Sequence, residues 1–504
     1  MFINGRLTAT SDRLIIRSPF DGELVGMAAK DKPDDVRHAV DVLATYDGSL
    51  SAERRGEILR DAAQKLRSRR HDFARSITRE SGICLKDSHR EVDRAYTNLV
   101  TASEEAKRIR GESLPLQVGG VSRLSLTIHE PVGVVAAITP FNRPLNQVVV
   151  KVAPAIAANN AVIVKPSEKT PLTAIALAEL LVSVGLPTNM IAVVTGAPDE
   201  IGRALVGDAR IAMITFTGSV QTGEWIARNA GIRKLLLELG GNDPLIVLDD
   251  ADPALAAQIA AEGAFGTSGQ SCRGVKRILA HRRVADDFAE CLVEQTKARR
   301  CGDPLDPETD VGTLIDENAA MLVEQRCATA VRAGARLLWA QPRHGALLPP
   351  AALDDVPPDT DLVFHETFGP VAPIIRVEDL DDVLSVANAT PYGLQAGIVT
   401  RDYEAFMYLA SRLKVGGVSL MDGPHFDSPH IPFGGVKKSG VGREGIPYAI
   451  REMTSVKTLL LPWTGKLLQP GGPGKRATAE PILDHPAARI SPSGPPPSFD
   501  NRWR

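Results

Sequence analysis

The chain has 504 residues, of which 43% are hydrophobic and 24% are charged, and its formal net charge is −3 at pH 7. This composition is close to the globular average, so a large apolar core is expected. The small net charge gives no reason to expect nucleic acid or an anionic membrane surface as a partner. No apolar run reaches the length of a membrane span, and the N-terminus lacks the organisation of a signal peptide.

The cysteines are few and lack the paired spacing of a disulfide framework or a zinc site. Five are present: Cys84, Cys272, Cys291, Cys301 and Cys327. Such usage favours the reducing cytoplasm and argues against a bound metal. A chain of this length suggests about three domains.

The middle of the chain alternates between predicted strands and predicted helices. Four short apolar runs have the form of buried parallel strands: 132–140, 161–166, 192–196 and 212–216. Segments 146–158 and 172–184 between them are long enough for crossover helices. This alternation predicts an α/β fold with a doubly wound parallel sheet, whose ligands bind at the carboxyl ends of the strands.

Two glycine-containing segments are candidates for a phosphate-binding turn. Phe-Thr-Gly-Ser at 216–219 follows a predicted strand and opens a helix, where backbone N–H groups can hold a pyrophosphate. Its spacing differs from the usual dinucleotide fingerprint, so an ordinary strand-to-helix turn is the alternative. The literal Gly-x-Gly-x-x-Gly at 440–445 follows a loop, and we reject it as a phosphate site.

A thiol and a carboxylate lie in two further glycine turns. Gly-Gln-Ser-Cys at 269–272 offers a nucleophile, and Glu-Leu-Gly-Gly at 238–241 offers a base. A thiol captures an electrophilic carbon well near neutral pH, and a carboxylate can activate water. Together they indicate formation of a thioester that is then hydrolysed.

Seven segments make the chain resemble the NAD(P)-dependent aldehyde dehydrogenase superfamily. In chain order they are Pro-Phe-Asn at 140–142, Lys-Pro-Ser-Glu at 165–168, Phe-Thr-Gly-Ser at 216–219, Glu-Leu-Gly-Gly at 238–241, Gly-Gln-Ser-Cys at 269–272, Glu-Thr-Phe-Gly-Pro at 366–370 and Pro-Phe-Gly-Gly at 432–435. The resemblance covers roughly residues 1–466. It implies an α/β fold with two doubly wound parallel-sheet domains, one for the cofactor and one catalytic, and a small β oligomerisation arm.

The resemblance also implies domain boundaries. They are 1–112, 132–240 and 442–456 for the NAD-binding domain, 241–441 for the catalytic domain, and 113–131 with 457–466 for the arm. The arm implies a homodimer or homotetramer. Segment 467–504 lies outside the resemblance, and its proline- and glycine-rich composition predicts disorder.

Three residues carry the catalytic roles that the resemblance implies. Cys272 is the expected nucleophile, and Asn142 is expected to stabilise the oxyanion together with the backbone N–H of Cys272. Glu238 is expected to activate the water that hydrolyses the thioester. A CoA-acylating dehydrogenase is an alternative that Glu238 argues against. A non-catalytic NAD-binding protein is another, and retention of all three residues argues against it.

The positions that match the family's cofactor site are Thr139, Pro140, Lys165, Ser167, Glu168, Gly218, Ser219, Glu366 and Phe368. Lys165 and Glu168 match the pair that faces the adenosine ribose, where a carboxylate would repel a 2′-phosphate. NAD is therefore expected rather than NADP. Ser219 is expected at the pyrophosphate, Glu366 at the nicotinamide ribose and Phe368 beside the nicotinamide.

Three arginines are candidate substrate ligands. On the family pattern Arg94 lies in a helix that lines the substrate tunnel, while Arg143 follows Asn142 and Arg273 follows Cys272. Planar guanidinium groups suit carboxylate or phosphonate oxygens, although ordinary structural arginines are the alternative. The chain looks most like the branch of lactaldehyde, phosphonoacetaldehyde and non-phosphorylating glyceraldehyde-3-phosphate dehydrogenases. We expect a small anionic aldehyde such as phosphonoacetaldehyde or phosphonoformaldehyde, with lactaldehyde, a semialdehyde or a general aliphatic aldehyde as alternatives.

Some positions depart from the family pattern. Ser271 stands where anion-handling members of the branch usually have arginine, and Met421 replaces an asparagine. Pro447 replaces a second glutamate, so we expect no acid–base relay through that position. We interpret the loop histidines His425 and His430 as solvent-exposed residues, with contact to the substrate as the alternative.

Overall fold

The computed structural model describes residues 1–8, 12–118, 121–426 and 428–462. Segment 467–504, for which the composition predicts disorder, and the last four residues of the predicted arm lie outside the described residues. Within the described ranges, no helix has both the length and the apolar character that a membrane span requires.

The α-helices, in chain order, are α1 Pro33–Leu43, α2 Ala52–Ser68, α3 Arg70–Ser81, α4 Leu85–Glu105, α5 Asn146–Ala157, α6 Leu172–Ser183, α7 Arg203–Gly207, α8 Val220–Asn229, α9 Pro253–Phe265, α10 Arg282–Lys297, α11 Glu317–Arg332, α12 Asp361–Phe364, α13 Leu380–Asn388, α14 Tyr403–Ala410 and α15 Ile446–Glu452. The strands are β1 Phe2–Ile3, β2 Arg6–Leu7, β3 Arg13–Arg17, β4 Leu24–Ala29, β5 Ser113–Val118, β6 Val121–Pro131, β7 Val134–Ile138, β8 Ala161–Lys165, β9 Ile191–Val193, β10 Ile211–Thr217, β11 Lys234–Glu238, β12 Pro244–Val247, β13 Arg277–His281, β14 Arg336–Trp339, β15 Ala351–Asp354, β16 Val371–Val377, β17 Gln395–Val399, β18 Gly417–Leu420, β19 Gly440–Val441 and β20 Thr454–Pro462.

The first large sheet has the strand order β19-β11-β10-β7-β8-β9-β1-β2. Its five strands from β11 to β9 are parallel, and antiparallel strands pair at both edges. Strands β7 and β8 are buried along their whole length, which explains their continuous apolar runs. The predicted strands and crossover helices of this region are confirmed, with boundary differences of a few residues.

The second large sheet has the order β14-β15-β16-β13-β12-β17-β18. Its strands are parallel except for the antiparallel edge strand β14. Each sheet separates two buried apolar clusters, because helices cover both of its faces. The α/β fold with doubly wound parallel sheets is therefore confirmed.

The chain divides into two compact units. One contains Met1–Glu112 and Thr127–Thr458, and the described residues of the other lie within 113–126 and 459–462. Strands β5 and β6 pair antiparallel in a three-stranded sheet of order β20-β6-β5. Strand β20 begins three residues before the strand predicted near 457, inside the segment assigned to the NAD-binding domain.

A buried carboxylate fixes helix α4, which carries Arg94, to helix α5. Glu91 of α4 is fully buried and accepts hydrogen bonds from the backbone N–H groups of Leu145 and Asn146, at 2.8 and 2.9 Å. These donors lie at the start of α5, where the helix itself provides no acceptor. Burial raises the pKa of Glu91 to about 7, although the neighbouring Arg143 opposes that shift.

Candidate functional site

The segment that carries the cysteine has an unusual backbone. Helix α9 ends at Phe265, and Thr267, Ser268 and Gly269 follow with φ of 57°, 54° and 70°. The left-handed conformation is costly for residues with a Cβ. The carboxylate of Asp87 accepts a hydrogen bond from the Thr267 backbone N–H at 2.7 Å, which holds this turn in place.

Cys272 is a half-buried thiol among charged groups. Burial raises the pKa of Cys272 to about 12, a shift that Glu366 and Asp243 reinforce. Arg273 and Arg143 act in the opposite direction. The thiol is therefore protonated at neutral pH in the ligand-free protein, and its attack on a carbon requires a proton acceptor.

One side of Cys272 opens into a cavity of about 400 Å³. Its lining includes Glu238, Ser219, Glu366 and Phe368, together with Cys272 itself. A second cavity of about 640 Å³ shares Ser219 with the first and extends to Lys165 and Glu168. The nine predicted cofactor residues therefore all line these two cavities.

The turn between β10 and α8 belongs to both cavities. The hydroxyl of Ser219 accepts a hydrogen bond from the backbone N–H of Thr222 at 3.2 Å and so caps α8. A Cβ atom at Gly218 would lie 2.4 Å from the Phe216 ring, so only glycine fits there. The predicted sequence of strand, glycine turn and helix is confirmed. The N-terminus of α8 lies where the two cavities meet, with Glu168 in the larger cavity and Glu366 in the smaller one. This arrangement fits a dinucleotide, which has a pyrophosphate between two ribose groups.

The three arginines predicted as substrate ligands lie together beside the cysteine segment. Arg94, Arg143 and Arg273 line one cavity of about 360 Å³. Arg143 and Arg273 also line a narrower cavity of about 50 Å³ that includes Cys272. Two of the three arginines thus line a cavity with the thiol whose described lining does not include Glu238.

Asn142 lies beside the cysteine segment. Its side-chain Nδ2 donates a hydrogen bond to the carbonyl oxygen of Gln270 at 2.8 Å. Asn142 lines both cavities that include Cys272. In the described part of the chain, the backbone N–H of Cys272 has no hydrogen-bond acceptor. An amide donor and a backbone donor therefore flank the same thiol.

Glu238 ends strand β11 with its carboxylate buried. Among the described residues neither oxygen of Glu238 accepts a hydrogen bond. Gly434, at φ 152°, provides the space, since a Cβ atom there would lie 2.6 Å from Oε1 of Glu238. Burial raises the pKa of Glu238 well above its ordinary value, as does Glu444, whereas Lys151 lowers it. A carboxyl group with a raised pKa is a better proton acceptor than an ordinary surface carboxylate.

Comparison with known proteins identifies the family. The profile of the Aldehyde dehydrogenase family matches residues 7–459. The chain belongs to the aldehyde dehydrogenase family. It is an NAD(P)-dependent oxidoreductase that acts on aldehydes, as the sequence predicted.

Individual members of the aldehyde dehydrogenase family resemble the chain over most of its length. A 3-sulfolactaldehyde dehydrogenase from Priestia aryabhattai is 39% identical over 464 residues, covering 92% of this chain and 97% of that protein. A lactaldehyde dehydrogenase from Methanococcus maripaludis is 37% identical over 468 residues, covering 92% and 99%. A glyceraldehyde-3-phosphate dehydrogenase from Methanocaldococcus jannaschii, solved with NADP, has a TM-score of 0.87 and 36% identity, covering 90% and 100%. The predicted branch of the family is confirmed.

Sequence reasoning missed a buried ion pair next to Glu238 in this aldehyde dehydrogenase. Lys151 of α5 and Glu444 form a salt bridge, and their side chains are 0% and 6% exposed. The expectation that no acid–base relay passes through Pro447 applies to position 447 alone. Glu444 lies three residues earlier and places a carboxylate near Glu238. The available signal was Lys151 itself, a single charge within the apolar helix α5.

His425 is half-buried, with 33% of its side chain exposed, so its interpretation as a solvent-exposed residue holds only in part. His425 lines the same cavity as the three arginines, and its Nδ1 is buried without a hydrogen-bond partner among the described residues. Burial lowers the pKa of His425, so its ring is neutral near pH 7. His430 is exposed, as interpreted.

Proposed function

We propose that this aldehyde dehydrogenase oxidises a small hydroxylated or anionic aldehyde to its carboxylate through a thioester on Cys272. The observation that carries the proposal is the position of Cys272 between two cavities. The cavity on one side includes the candidate cofactor residues and Glu238, and the approach on the other side leads to the arginines. An aldehyde can therefore reach the thiol without crossing the cofactor cavity.

The first step is attack of the Cys272 sulfur on the aldehyde carbon. The thiol proton leaves to the Glu238 carboxylate, which lines the same cavity. Negative charge develops on the former carbonyl oxygen, where the second N–H of the Asn142 amide and the backbone N–H of Cys272 stabilise it. Because these donors are neutral, they favour the tetrahedral state more than the uncharged aldehyde.

The second step releases the product from Cys272. A nicotinamide held by Glu366 and Phe368 would supply the acceptor for the hydride of the tetrahedral adduct, and an acyl group would then remain on the Cys272 sulfur. Glu238 first releases the thiol proton to solvent, and its regenerated carboxylate then takes a proton from water while the water oxygen attacks the thioester carbon. The carbon–sulfur bond breaks, the acid leaves, and Cys272 is regenerated.

The cofactor preference that we propose is NAD rather than NADP. Nζ of Lys165 lies 3.8 Å from Oε2 of Glu168, and both side chains line the larger cofactor cavity. The Glu168 carboxylate suits ribose hydroxyls and repels a 2′-phosphate. Arg203 and Arg228 line the same cavity and are the residues that would favour NADP. Comparison of kcat/KM for the two dinucleotides in wild type and Glu168→Ala decides between them.

The arginine-lined cavity supports a negatively charged substrate tail. Its described lining residues include six basic and three acidic side chains. The relatives are named for sulfolactaldehyde, lactaldehyde and glyceraldehyde-3-phosphate, which favours short oxygenated aldehydes. Lactaldehyde, the alternative substrate, therefore gains support from the comparisons, whereas the phosphono-aldehydes do not. We propose a short 2-hydroxyaldehyde, with or without a sulfonate, phosphate or carboxylate tail.

A panel of matched aldehydes tests this substrate class. Lactaldehyde, sulfolactaldehyde, succinate semialdehyde, phosphonoacetaldehyde and propanal are compared by NADH formation, in the presence and absence of CoA. Arg94→Ala is expected to lower kcat/KM for the anionic compounds by about tenfold to 100-fold while changing propanal little. Arg283→Ala is the control, because Arg283 of α10 is exposed and pairs with Asp249.

Two outcomes of the panel contradict the proposal. Equal turnover of propanal and the anionic aldehydes, unchanged by Arg94→Ala, would mean that the arginines are structural. Turnover that depends on CoA would replace hydrolysis by acyl transfer.

We also propose a cytoplasmic homo-oligomer. The residues of the smaller unit expose leucines at 39–57% of their surface: Leu114, Leu116, Leu459, Leu460 and Leu461. A row of exposed apolar side chains on strands is typical of a protein–protein contact. The five cysteines are unpaired, which is consistent with a reducing compartment. Light scattering of the purified protein tests the oligomer, and a monomeric mass would contradict it.

A further inference from the structure

A buried lysine lies four residues after Cys272 and has no role in the mechanism proposed above. Lys276 immediately precedes β13, is 3% exposed, and donates its backbone N–H to the carbonyl oxygen of Asp243 at 3.0 Å. An ammonium group is costly to bury unless other groups compensate for the lost hydration. Burial lowers the pKa of Lys276 to about 8, and Glu366, Cys272 and Asp243 oppose that shift.

The ammonium group of Lys276 contacts two segments of the site at once. Nζ donates a hydrogen bond to the carbonyl oxygen of Gly269 at 2.6 Å, within the left-handed turn before Cys272. Nζ also lies 5.1 Å from the centroid of the Phe368 ring, a distance typical of a cation–π contact. One charge thus bridges the cysteine segment and the segment that contains Phe368.

The same ammonium acts on the carboxylate of Glu366. Glu366 lines the cavity with Cys272 and accepts a hydrogen bond from the Gly241 backbone N–H at 3.4 Å. Burial raises the pKa of Glu366 to about 7, and Lys276 is the main opposing charge, followed by Arg326. Loss of the Lys276 charge would raise the pKa of Glu366 further, and a protonated carboxyl group accepts fewer hydrogen bonds from ribose hydroxyls than a carboxylate.

We propose that Lys276 is a positioning residue for the dehydrogenase reaction, which fixes residues 269–272 against the segment 366–368 and so holds Glu366 in place for the nicotinamide ribose. The proposal rests on the proposed function, because it takes Cys272 as the nucleophile and Glu366 as a cofactor ligand. It assigns Lys276 no contact with the substrate. Its effect reaches the reaction through the Gly269 carbonyl and the Glu366 carboxylate.

The test compares Lys276→Met with Lys297→Met. Lys297 is a matched control, since its Nζ lies 5.3 Å from the Trp339 ring but its side chain is exposed on α10. The measurements are KM and kcat for the dinucleotide at about pH 7.5 and pH 9, dinucleotide binding by calorimetry, and the rate of Cys272 alkylation by iodoacetamide. Thermal melting reports whether each variant is folded.

The expected result for Lys276→Met is a rise of about tenfold in KM and Kd for the dinucleotide at pH 7.5, with slower alkylation of Cys272. At pH 9 the variant and the wild type differ less in KM and Kd for the dinucleotide. Glu366 ionises in the variant, and Lys276 loses its proton in the wild type. Lys297→Met behaves as wild type at both pH values. Lys276→Gln, which keeps an N–H donor without the charge, restores the alkylation rate but not dinucleotide binding at pH 7.5.

Wild-type values for Lys276→Met at both pH values would overturn the proposal. So would an equal loss at both pH values accompanied by a lower melting temperature, which is the signature of a purely structural residue. If Lys276→Met does not fold, the same measurements on Lys276→Gln decide. Calorimetry and alkylation need no aldehyde, so failure of the wild type to oxidise any aldehyde would contradict the proposed function while leaving Lys276 testable.

Discussion

Replacement of Lys151 by methionine is predicted to weaken Glu238 as a base by raising its pKa, although Glu238 itself is unchanged. Lys151 is fully buried in α5 and pairs with Glu444, which itself raises the pKa of Glu238. Methionine matches the length of the lysine stem but carries no charge. Without the neighbouring ammonium group the pKa of the buried Glu238 carboxyl would rise further, and Glu238 would hold its proton to higher pH.

The variant Lys151→Met is expected to lose both stability and hydrolysis rate. Breaking a buried ion pair by removing one partner costs about 3–5 kcal/mol of stability, since the remaining charge stays buried. Loss of the Lys151 charge also raises the pKa of Glu238 further, and each unit reduces the ionised fraction about tenfold below the new pKa. We therefore expect thioester hydrolysis near pH 7 to slow by about tenfold or more. The rate should recover as the pH rises, because the base is the ionised form of Glu238.

Rapid mixing with aldehyde and NAD measures this directly. An NADH burst of one equivalent per site, followed by slow turnover, would report normal acylation and impaired hydrolysis. The double variant Lys151→Met with Glu444→Met should regain much of the lost melting temperature, because removal of both charges of a buried pair is often nearly neutral. Unchanged stability and an unchanged pH profile in Lys151→Met would refute this reasoning, and Lys297→Met again serves as the control.

Two further predictions concern the reacting groups. Cys272→Ala should abolish NADH formation and leave dinucleotide binding intact in calorimetry, because the other cavity residues remain; substantial turnover would remove Cys272 as the nucleophile. Glu238→Gln should also give an NADH burst with slow turnover, visible as labelled Cys272 in mass spectrometry, because an amide cannot take a proton from water. An unchanged steady-state rate in Glu238→Gln would exclude Glu238 as the base.

The fold was predictable because its signals are local. Strand β8 and helix α5 agree with the predicted 161–166 and 146–158 to within a residue, since buried parallel strands and crossover helices impose continuous apolar runs. Strand β20 was placed three residues too late, where the sequence contains no turn residue to mark the boundary. The resemblance supplied the candidate catalytic positions, which local periodicity alone could not.

The charges around the site were not predictable from local sequence. Lys151 and Glu444 are 293 residues apart, and only the folded chain brings their side chains together. Lys276 follows the nucleophile closely, but its sequence neighbours give no sign that its ammonium reaches back to Gly269. His425 lies in a polar loop whose composition suggested exposure, whereas folding buries its Nδ1 and leaves 33% of the side chain exposed.

The left-handed turn before Cys272 implies that the cysteine segment is ordered before the substrate binds. Thr267 and Ser268 hold a conformation that costs each of them about 1–2 kcal/mol, and the contacts of Asp87 and Lys276 maintain it in the ligand-free chain. The free energy of folding offsets this conformational cost, because the packing of the whole unit holds the turn. An arriving aldehyde then meets a thiol segment that is already ordered, so its binding energy is not consumed in freezing a loop. Small substrates, which have few atoms to contribute to affinity, gain the most from such an arrangement.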